Sequence, residues 1–383
     1  MKAKRIIDAL NNVDSRYIDE VAIESENKKR RKMPQRLWVG MVGAAAAIAL
    51  LIFAGPGATN PLEVKAAIFS VNTSGVGTIY VENVEELRTA NPWTTDMVAQ
   101  KFPVYQNHAF VSSAGEPGYY TREELLVMAE NVAKKLETQL VDWEYVELLE
   151  EDASERTDVS MLIANAKDAV IQIEGDGSIS VEFTHGVKLP EEYVFSNKNT
   201  LEEANKVVDY LTERYASLLG MADSIADCRM SYDVDGNREI TYVAFSRGEK
   251  AKSVAEYCFK EVIFYADEEG CLSRIHFGDV RQAAEYLGDY TIVTQAEAEK
   301  RLQEGNYVSI MVEEDVKGGS FSEDNIAKVE VVYLTGSVCE YFQPYYCFYI
   351  ELDNSEWGYG RYYVPAVENS YLDEFAEENP IGN

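Results

Sequence analysis

The sequence predicts an α+β protein with an N-terminal cytoplasmic helix, one transmembrane helix, and then about three extracytoplasmic units of one helix plus an antiparallel sheet. Three observations predict it. Leu37 to Gly55 is an uncharged apolar run, charge divides sharply on either side of it, and beyond it a helix-start signature, Thr-x-x-Glu, recurs ahead of strand-like runs.

The run LWVGMVGAAAAIALLIFAG holds 19 residues without a charge. At a rise of ~1.5 Å per residue it reaches about 28 Å as a helix, close to the ~30 Å hydrocarbon core of a bilayer. Residues 1–37 carry 10 basic and 6 acidic side chains, and residues 56–383 carry 25 and 60, within a formal net charge of −31. Lys28-Lys29-Arg30-Arg31-Lys32 and Arg36 abut the apolar run, which by the positive-inside rule sets the N-terminus in the cytoplasm and residues 56–383 outside. A cleaved signal peptide has a shorter charged lead and a shorter apolar core, so the run reads as a retained anchor. Like-charge repulsion from the acidic outer region excludes nucleic acid and polyanionic surfaces as unaided partners. An envelope or signalling protein is the expected partner.

Ahead of the span, residues 1–36 hold a short amphipathic helix and the basic patch. Ile6, Leu10, Val13 and Tyr17, with Val21, fall at spacings of three and four, one apolar face suited to the inner membrane surface or to docking a cytoplasmic partner. The head IIDALNNVDSRYIDE, followed by a basic patch and a single span, resembles the cytoplasmic start of membrane proteins from Clostridia and related Gram-positive bacteria, some of which resemble anti-sigma factors. The zinc-binding anti-sigma subtype needs a His and two Cys, and this head has neither residue type. Within the span, Gly40 and Ala44, and Gly43 and Ala47, are small residues four apart that let a second helix approach closely.

Residues 56–119 are rich in Gly, Pro, Asn, Thr and Ser and read as a stalk or an extension wrapping the first folded unit, with a short strand at Gly77–Val81. Lys101-Phe102-Pro103-Val104-Tyr105-Gln106-Asn107 in this stretch resembles the start of the outer region in the same Gram-positive proteins.

Three helices follow, each opened by a capping box: Thr121 with Glu124, Thr200 with Glu203, and Thr294 with Glu297. The first places Leu125, Met128, Val132 and Leu136 on one face. The second does so with Ala204, Val207, Val208, Leu211, Tyr215 and Leu218 and stops at Gly220; the third carries Ala298 and Leu302 and ends at Gly305. A single apolar stripe needs a sheet to lie on. Hairpins are expected about Gly175-Asp176-Gly177, Asp235-Gly236 and Asp267-Glu268-Glu269-Gly270, the last between strands Tyr257–Tyr265 and Cys271–Phe277. Further strands are expected at Tyr307–Val312, Ala327–Leu334, Tyr341–Leu352 and Gly358–Val364. The units divide at 120–195, 196–290 and 291–372, ahead of an acidic tail at 373–383.

The third unit, with Thr294-x-x-Glu297-Ala298-x-x-x-Leu302-x-x-Gly305, Val329–Tyr333, Pro344-Tyr345-Tyr346-x-Phe348 and Tyr363-Val364-Pro365-Ala366-Val367, resembles YycI-type and PepSY-type modules. The YycH and YycI proteins have one span and an extracytoplasmic region that regulates a membrane histidine kinase. The resemblance therefore implies a non-enzymatic role in regulation or binding. It places no site residue.

Chemistry-bearing patterns are scarce. His108, His185 and His276 lack ligand-spaced neighbours, and no nucleophile elbow, HExxH, Walker or dinucleotide motif occurs, so neither a metal, a cofactor nor catalysis is expected. Cys271 and His276, five apart in one strand, point to opposite faces. Asp233 to Glu239 has Gly at the fourth place, where a calcium loop needs it at the sixth, and reads as a hairpin turn. An odd count of five cysteines without CxxC predicts free, buried thiols.

The densest aromatic run, Tyr341 to Tyr349 with Trp357, Tyr359 and Tyr362, offers a partner surface through Tyr341, Tyr345, Tyr349, Trp357, Tyr359 and Tyr362 unless a neighbouring unit covers that face. The expected function is that of a membrane-anchored extracytoplasmic regulatory or sensory accessory protein acting by binding, with a histidine kinase or sigma-factor pathway as its target. A tethered envelope module that holds a peptide or glycan without signalling is the alternative.

Overall fold

In the computed structural model, residues 78–81, 84–110, 119–146, 160–221, 223–233, 236–247, 252–309, 316–336, 339–353 and 358–372 are described. The cytoplasmic positions Ile6, Leu10, Val13 and Tyr17, the span 37–55 with Gly40, Gly43, Ala44 and Ala47, Trp357 and the acidic tail lie outside them. Among the described residues no helix is long and apolar enough to cross a membrane.

Strands dominate, and this overturns the expected α+β class of about three separate helix-plus-sheet units. Among the described residues sixteen strands accompany five α-helices. The strands are β1 (Thr78–Tyr80), β2 (Lys101–Asn107), β3 (Leu140–Val146), β4 (Met161–Ala166), β5 (Ala169–Glu174), β6 (Ile179–Val187), β7 (Ser224–Ala226) and β8 (Arg229–Tyr232). They continue as β9 (Arg238–Ser246), β10 (Lys260–Ala266), β11 (Leu272–Asp279), β12 (Ala284–Thr291), β13 (Ile326–Tyr333), β14 (Tyr341–Phe342), β15 (Pro344–Glu351) and β16 (Gly358–Pro365). The helices are α1 (Arg122–Lys135), α2 (Leu201–Arg214), α3 (Ala216–Leu219), α4 (Lys252–Phe259) and α5 (Gln295–Gln303).

The first two expected units share one nine-stranded sheet in the order β3-β4-β5-β6-β11-β10-β9-β7, with β8 also on β9. The join is β6 against β11, antiparallel, with Ile275 opposite Val181 and Phe277 opposite Ile179. A sheet continuous across the expected boundary leaves no separable units, because each meander's edge is the other's hydrogen-bonding partner. Helices α1 and α2 lie on one face of this sheet. Leu125, Ala129 and Val132 of α1 and Val207, Val208 and Leu211 of α2 meet Leu162, Ile171, Ile173, Val181, Ile275 and Phe264 in one core. Each such side chain contributes about 1.5–3 kcal/mol on burial. Alternation along β5, with Ala169, Ile171 and Ile173 buried and their neighbours half-buried, is what a sheet covered on one face requires.

Local chemistry sets the helix ends as the sequence predicts. Thr121 and Thr200 each close a full capping box, their hydroxyls accepting from the backbone N–H of Glu124 and Glu203 while those carboxylates accept in return. Thr294 accepts from the Glu297 N–H. Gly220 ends α3 in the left-handed region at φ 59°, where an L side chain is disfavoured.

Residues 56–119 are expected as a stalk or a wrap on the first unit, but their described part is built into the C-terminal half. β1 pairs with β16 at the edge of the four-stranded sheet β1-β16-β15-β13, and β2 is the centre of the three-stranded sheet β12-β2-β14. Tyr257–Phe259, expected as strand, is the end of α4, which inserts between the nine-stranded sheet and the C-terminal core. Its Tyr257 packs with Val243 and Phe245, and its Val254, Ala255 and Phe259 pack with Phe102, Val331 and Phe342. The expected strand Tyr307–Val312 reduces, among its described residues, to a bridge between Val308 and Tyr363.

Candidate functional site

The aromatic run forms core rather than surface. Tyr345, Tyr349 and Tyr362 are 3%, 8% and 0% exposed, Tyr341 and Tyr359 are half-buried, and Trp357 lies outside the described residues. The cause is that β15 runs between β13 and β16 with both faces covered. Tyr346, Phe348 and Ile350 face the core under α5, and Tyr345, Cys347 and Tyr349 face Val81, Leu87 and Val308. Tyr362 packs edge-on to Tyr307 and Phe321, at ring separations of 5.2 and 5.0 Å. A partner therefore has no access to the rings of Tyr345, Tyr349 and Tyr362, which correct the expected surface.

The chain instead brings together two buried carboxylates under one segment, Leu87–Asn91. Asp227, 7% exposed, sits between β7 and β8; Glu330, 6% exposed, sits on β13. Asp227 accepts from the backbone N–H of Ala90 at 2.9 Å and from the hydroxyl of Tyr257, with the Arg229 guanidinium 3.7 Å away. Arg229 also donates to the Tyr257 hydroxyl at 3.0 Å and lies over the Phe245 ring, which stacks on Tyr257. Glu330 accepts from Thr89 at 2.9 Å, from Tyr349 at 2.7 Å and from the Lys328 ammonium at 2.9 Å. Lys328 donates onward to the carbonyl of Leu87 at 2.6 Å, and the Asn91 amide donates to the carbonyl of Val331 at 2.9 Å.

Each buried carboxylate thus has its counter-ion and its donors, the condition under which burial of a charge is tolerated. Burial pushes the phenols of Tyr257 and Tyr349 well above the usual tyrosine range, so both remain donors. A carboxylate saturated in this way is a poor general base. Its physical effect is to fasten Leu87–Asn91 to β13 on one side and to Asp227 on the other. No local pattern marks either acid in the sequence. The nearest signal is that Lys328 and Glu330 share a strand face with Val332, a charged pair where a buried strand would carry apolar residues.

Other reactive groups are dispersed. Ser180 and His276 face each other across β6 and β11 with Oγ and Nδ1 2.9 Å apart. Burial, aided by the Arg274 charge, lowers the His276 pKa and favours the neutral ring. His108 lies 3.2 Å from Glu285 on the β2–β12 ribbon. Among the described residues no group of three His, Cys, Asp or Glu converges as a metal site. None of the five cysteines is in a disulfide, and burial pushes the thiols of Cys228, Cys258 and Cys347 up to about 12.

No family model, curated protein or solved structure matches the chain.

Proposed function

We propose that the protein is a membrane-anchored, extracytoplasmic regulatory protein that acts by binding, and that its target is a membrane signalling protein such as a histidine kinase or a sigma-factor regulator. The apolar stretch 37–55, flanked by the basic run at 28–36 and followed by an acidic body, supports anchoring with the body outside. The likeness of the head and of the sequence motifs between Thr294 and Val367 to Gram-positive regulators supports the kind of target.

One observation supports the regulatory reading over passive tethering. The first described segment after the apolar stretch is integral to the body: β1 pairs with β16, and Leu87–Asn91 bridges Asp227 and Glu330. A change of packing at either carboxylate therefore shifts the very segment that leads back toward the anchor. A binding event that favours one arrangement of that segment shifts the population of the whole chain.

The test is cross-linking in intact cells with the full-length protein and with a version lacking residues 1–36, followed by identification of what is captured. A kinase or sigma-factor component captured only by the full-length chain supports the proposal. Capture of the same envelope protein or glycan by both versions replaces it with a tethered binding module.

A further inference from the structure

The nine-stranded sheet ends in β3, and that end is open. Its single strand neighbour is β4, and after a bulge at Val141 the residues from Asp142 to Val146 pair without a break with those from Asn165 to Met161. In an antiparallel ladder alternate residues turn their N–H and C=O away from the neighbouring strand. Among the described residues those outward groups of β3 have no partner.

The other sheet edges are protected. β1 and β7 are three residues long, β8 four and β14 two. β12 is broken midway by a bulge, with Gly288 at φ 153°. β13 is sealed, because the Asn91 amide donates to the Val331 carbonyl and the Tyr333 N–H donates to the Cys258 sulfur. Short length, bulges and covering segments are the usual means of keeping an edge from pairing. Residues 142–146 have none of these, and neither lysine nor proline. Val141, at the head of this stretch, is 72% exposed, more than any other large apolar side chain among the described residues.

We propose that the free edge of β3 takes an extended segment of a partner protein as an added antiparallel strand, and that this segment carries lysine or arginine at alternate positions. In such pairing the backbone supplies affinity and alternate side chains select the partner. Asp142 and Glu144 are both exposed and share one face of the sheet, where the Asn165 amide donates to Asp142 at 2.6 Å. Basic residues directly opposite these acids stabilise the added strand. Trp143 and Tyr145 turn to the α1 face, where the Arg122 guanidinium lies 4.7 and 6.0 Å from their rings. A basic residue on that face meets a like charge, so the fitting sequence alternates basic and neutral rather than running basic throughout.

A second copy of the chain is the rival occupant, and charge disfavours it. Antiparallel pairing of two β3 edges about Trp143 sets Asp142 of each copy against Glu144 of the other, and a register centred on either acid sets that acid against itself. Like charges directly opposite destabilise a strand pair. Two chains of formal net charge −31 also repel as wholes.

The test is fluorescence anisotropy of the full-length protein in neutral detergent, at about 150 mM salt so that long-range attraction is screened. The probes are a labelled peptide KTKVKTK, its acidic counterpart ETEVETE, and KTKVKTK with its inner backbone nitrogens methylated, which keeps the charge and removes the strand donors. The first binds with a Kd below about 100 μM, and the other two bind at least about tenfold more weakly. Glu144→Lys weakens KTKVKTK about tenfold, whereas Glu213→Lys, the same charge change at an exposed position on α2, leaves it within about twofold. Should Glu144→Lys lower the melting temperature, Glu144→Gln removes the charge without reversing it and weakens binding about threefold. Absence of binding by KTKVKTK, equal binding of the methylated peptide, equal losses in Glu144→Lys and Glu213→Lys, or a dimer of the protein that the peptide takes apart overturns the proposal. None of these outcomes bears on anchoring or on which signalling protein is captured in cells, so this inference and the proposed function fail separately.

Discussion

The hydroxyl of Tyr349 donates to Glu330 across 2.7 Å, and both side chains are more than nine-tenths buried. The same carboxylate takes Thr89 and Lys328, so one acid ties β15, β13 and the segment ahead of β2 into a single polar knot inside an aromatic core. Glu330→Ala strips Lys328 of its counter-ion and Tyr349 of its acceptor. Loss of one partner of a buried pair costs about 3–5 kcal/mol, and urea unfolding should report a fall in that range. Tyr349→Phe, which keeps the ring, should cost only about 1–3 kcal/mol. Equal effects of the two variants would show that the carboxylate is not the centre of the knot.

Tyr257 provides the matching test at Asp227. Tyr257→Phe retains the stack on Phe245 but leaves one carboxylate oxygen of Asp227 without its hydroxyl donor. A loss of about 1–3 kcal/mol is expected. Hydrogen exchange should also quicken at the Ala90 amide, which is held by the other oxygen of the same acid. Unchanged protection at Ala90 would separate that segment from the Asp227 network.

Thiol reactivity follows from burial. Cys228, Cys258 and Cys347 are pushed up to about 12. At pH 8 their thiolate fraction is then on the order of one in 10⁴. Iodoacetamide should leave all three unmodified in the folded protein and label them on unfolding, as read by peptide mass spectrometry. Rapid labelling of Cys347, between Tyr346 and Phe348 on the doubly covered strand, would contradict the packing of β15.

Much of the architecture is local chemistry and is legible in the residues. Thr121 with Glu124 and Thr200 with Glu203 satisfy orphan N–H groups wherever they occur, and Gly177, Gly236 and Gly270 take positive φ at the hairpins their sequences announce. The joining of units is not local. β6 pairs with β11 across some ninety positions, and nothing in either strand names its partner. α4 escapes a search for one apolar stripe because two different cores claim its faces, Val254 in one and Tyr257 in the other. Pro103 argues against a central strand, yet β2 is central, because β14 pairs only with Tyr105 and Gln106 and leaves Pro103 no donor to supply on that side. The carboxylates are hidden for a related reason: Asp227 and Glu330 look like ordinary surface acids until strands distant in sequence close over them.

Gly186 marks a close approach that an alanine scan would expose. A Cβ there would stand 2.7 Å from the Cβ of Cys271 and would also collide with the Asp267 carboxylate. Asp267 is held in its turn by the N–H groups of Glu269 and Cys271, so it has little room to retreat. Gly186→Ala should cost about 1–3 kcal/mol by overpacking, whereas Gly305→Ala, with open space at its Cβ position but φ at 82°, tests backbone strain alone. A neutral Gly186→Ala would mean that the Asp267 turn moves freely against β6.

His276 makes stability depend on pH in a direction that can be worked out. Its folded pKa is lowered, first by burial and then by the Arg274 charge, with Asp176 opposing. Ile263 and Ser180 are its cross-strand neighbours on β10 and β6, neither ionised. Above the ordinary histidine value near 6.5 the ring is neutral in both folded and unfolded chains and contributes no pH dependence. As pH falls through that value toward the lowered folded pKa, the unfolded chain takes up the proton first, and stability is lost across that window. His276→Asn, which cannot be protonated, should flatten the stability profile between about pH 6.5 and the folded pKa while leaving the carboxylate-driven loss at more acid pH in place. An unchanged profile in the variant would mean that the ring titrates alike in the folded and unfolded chains.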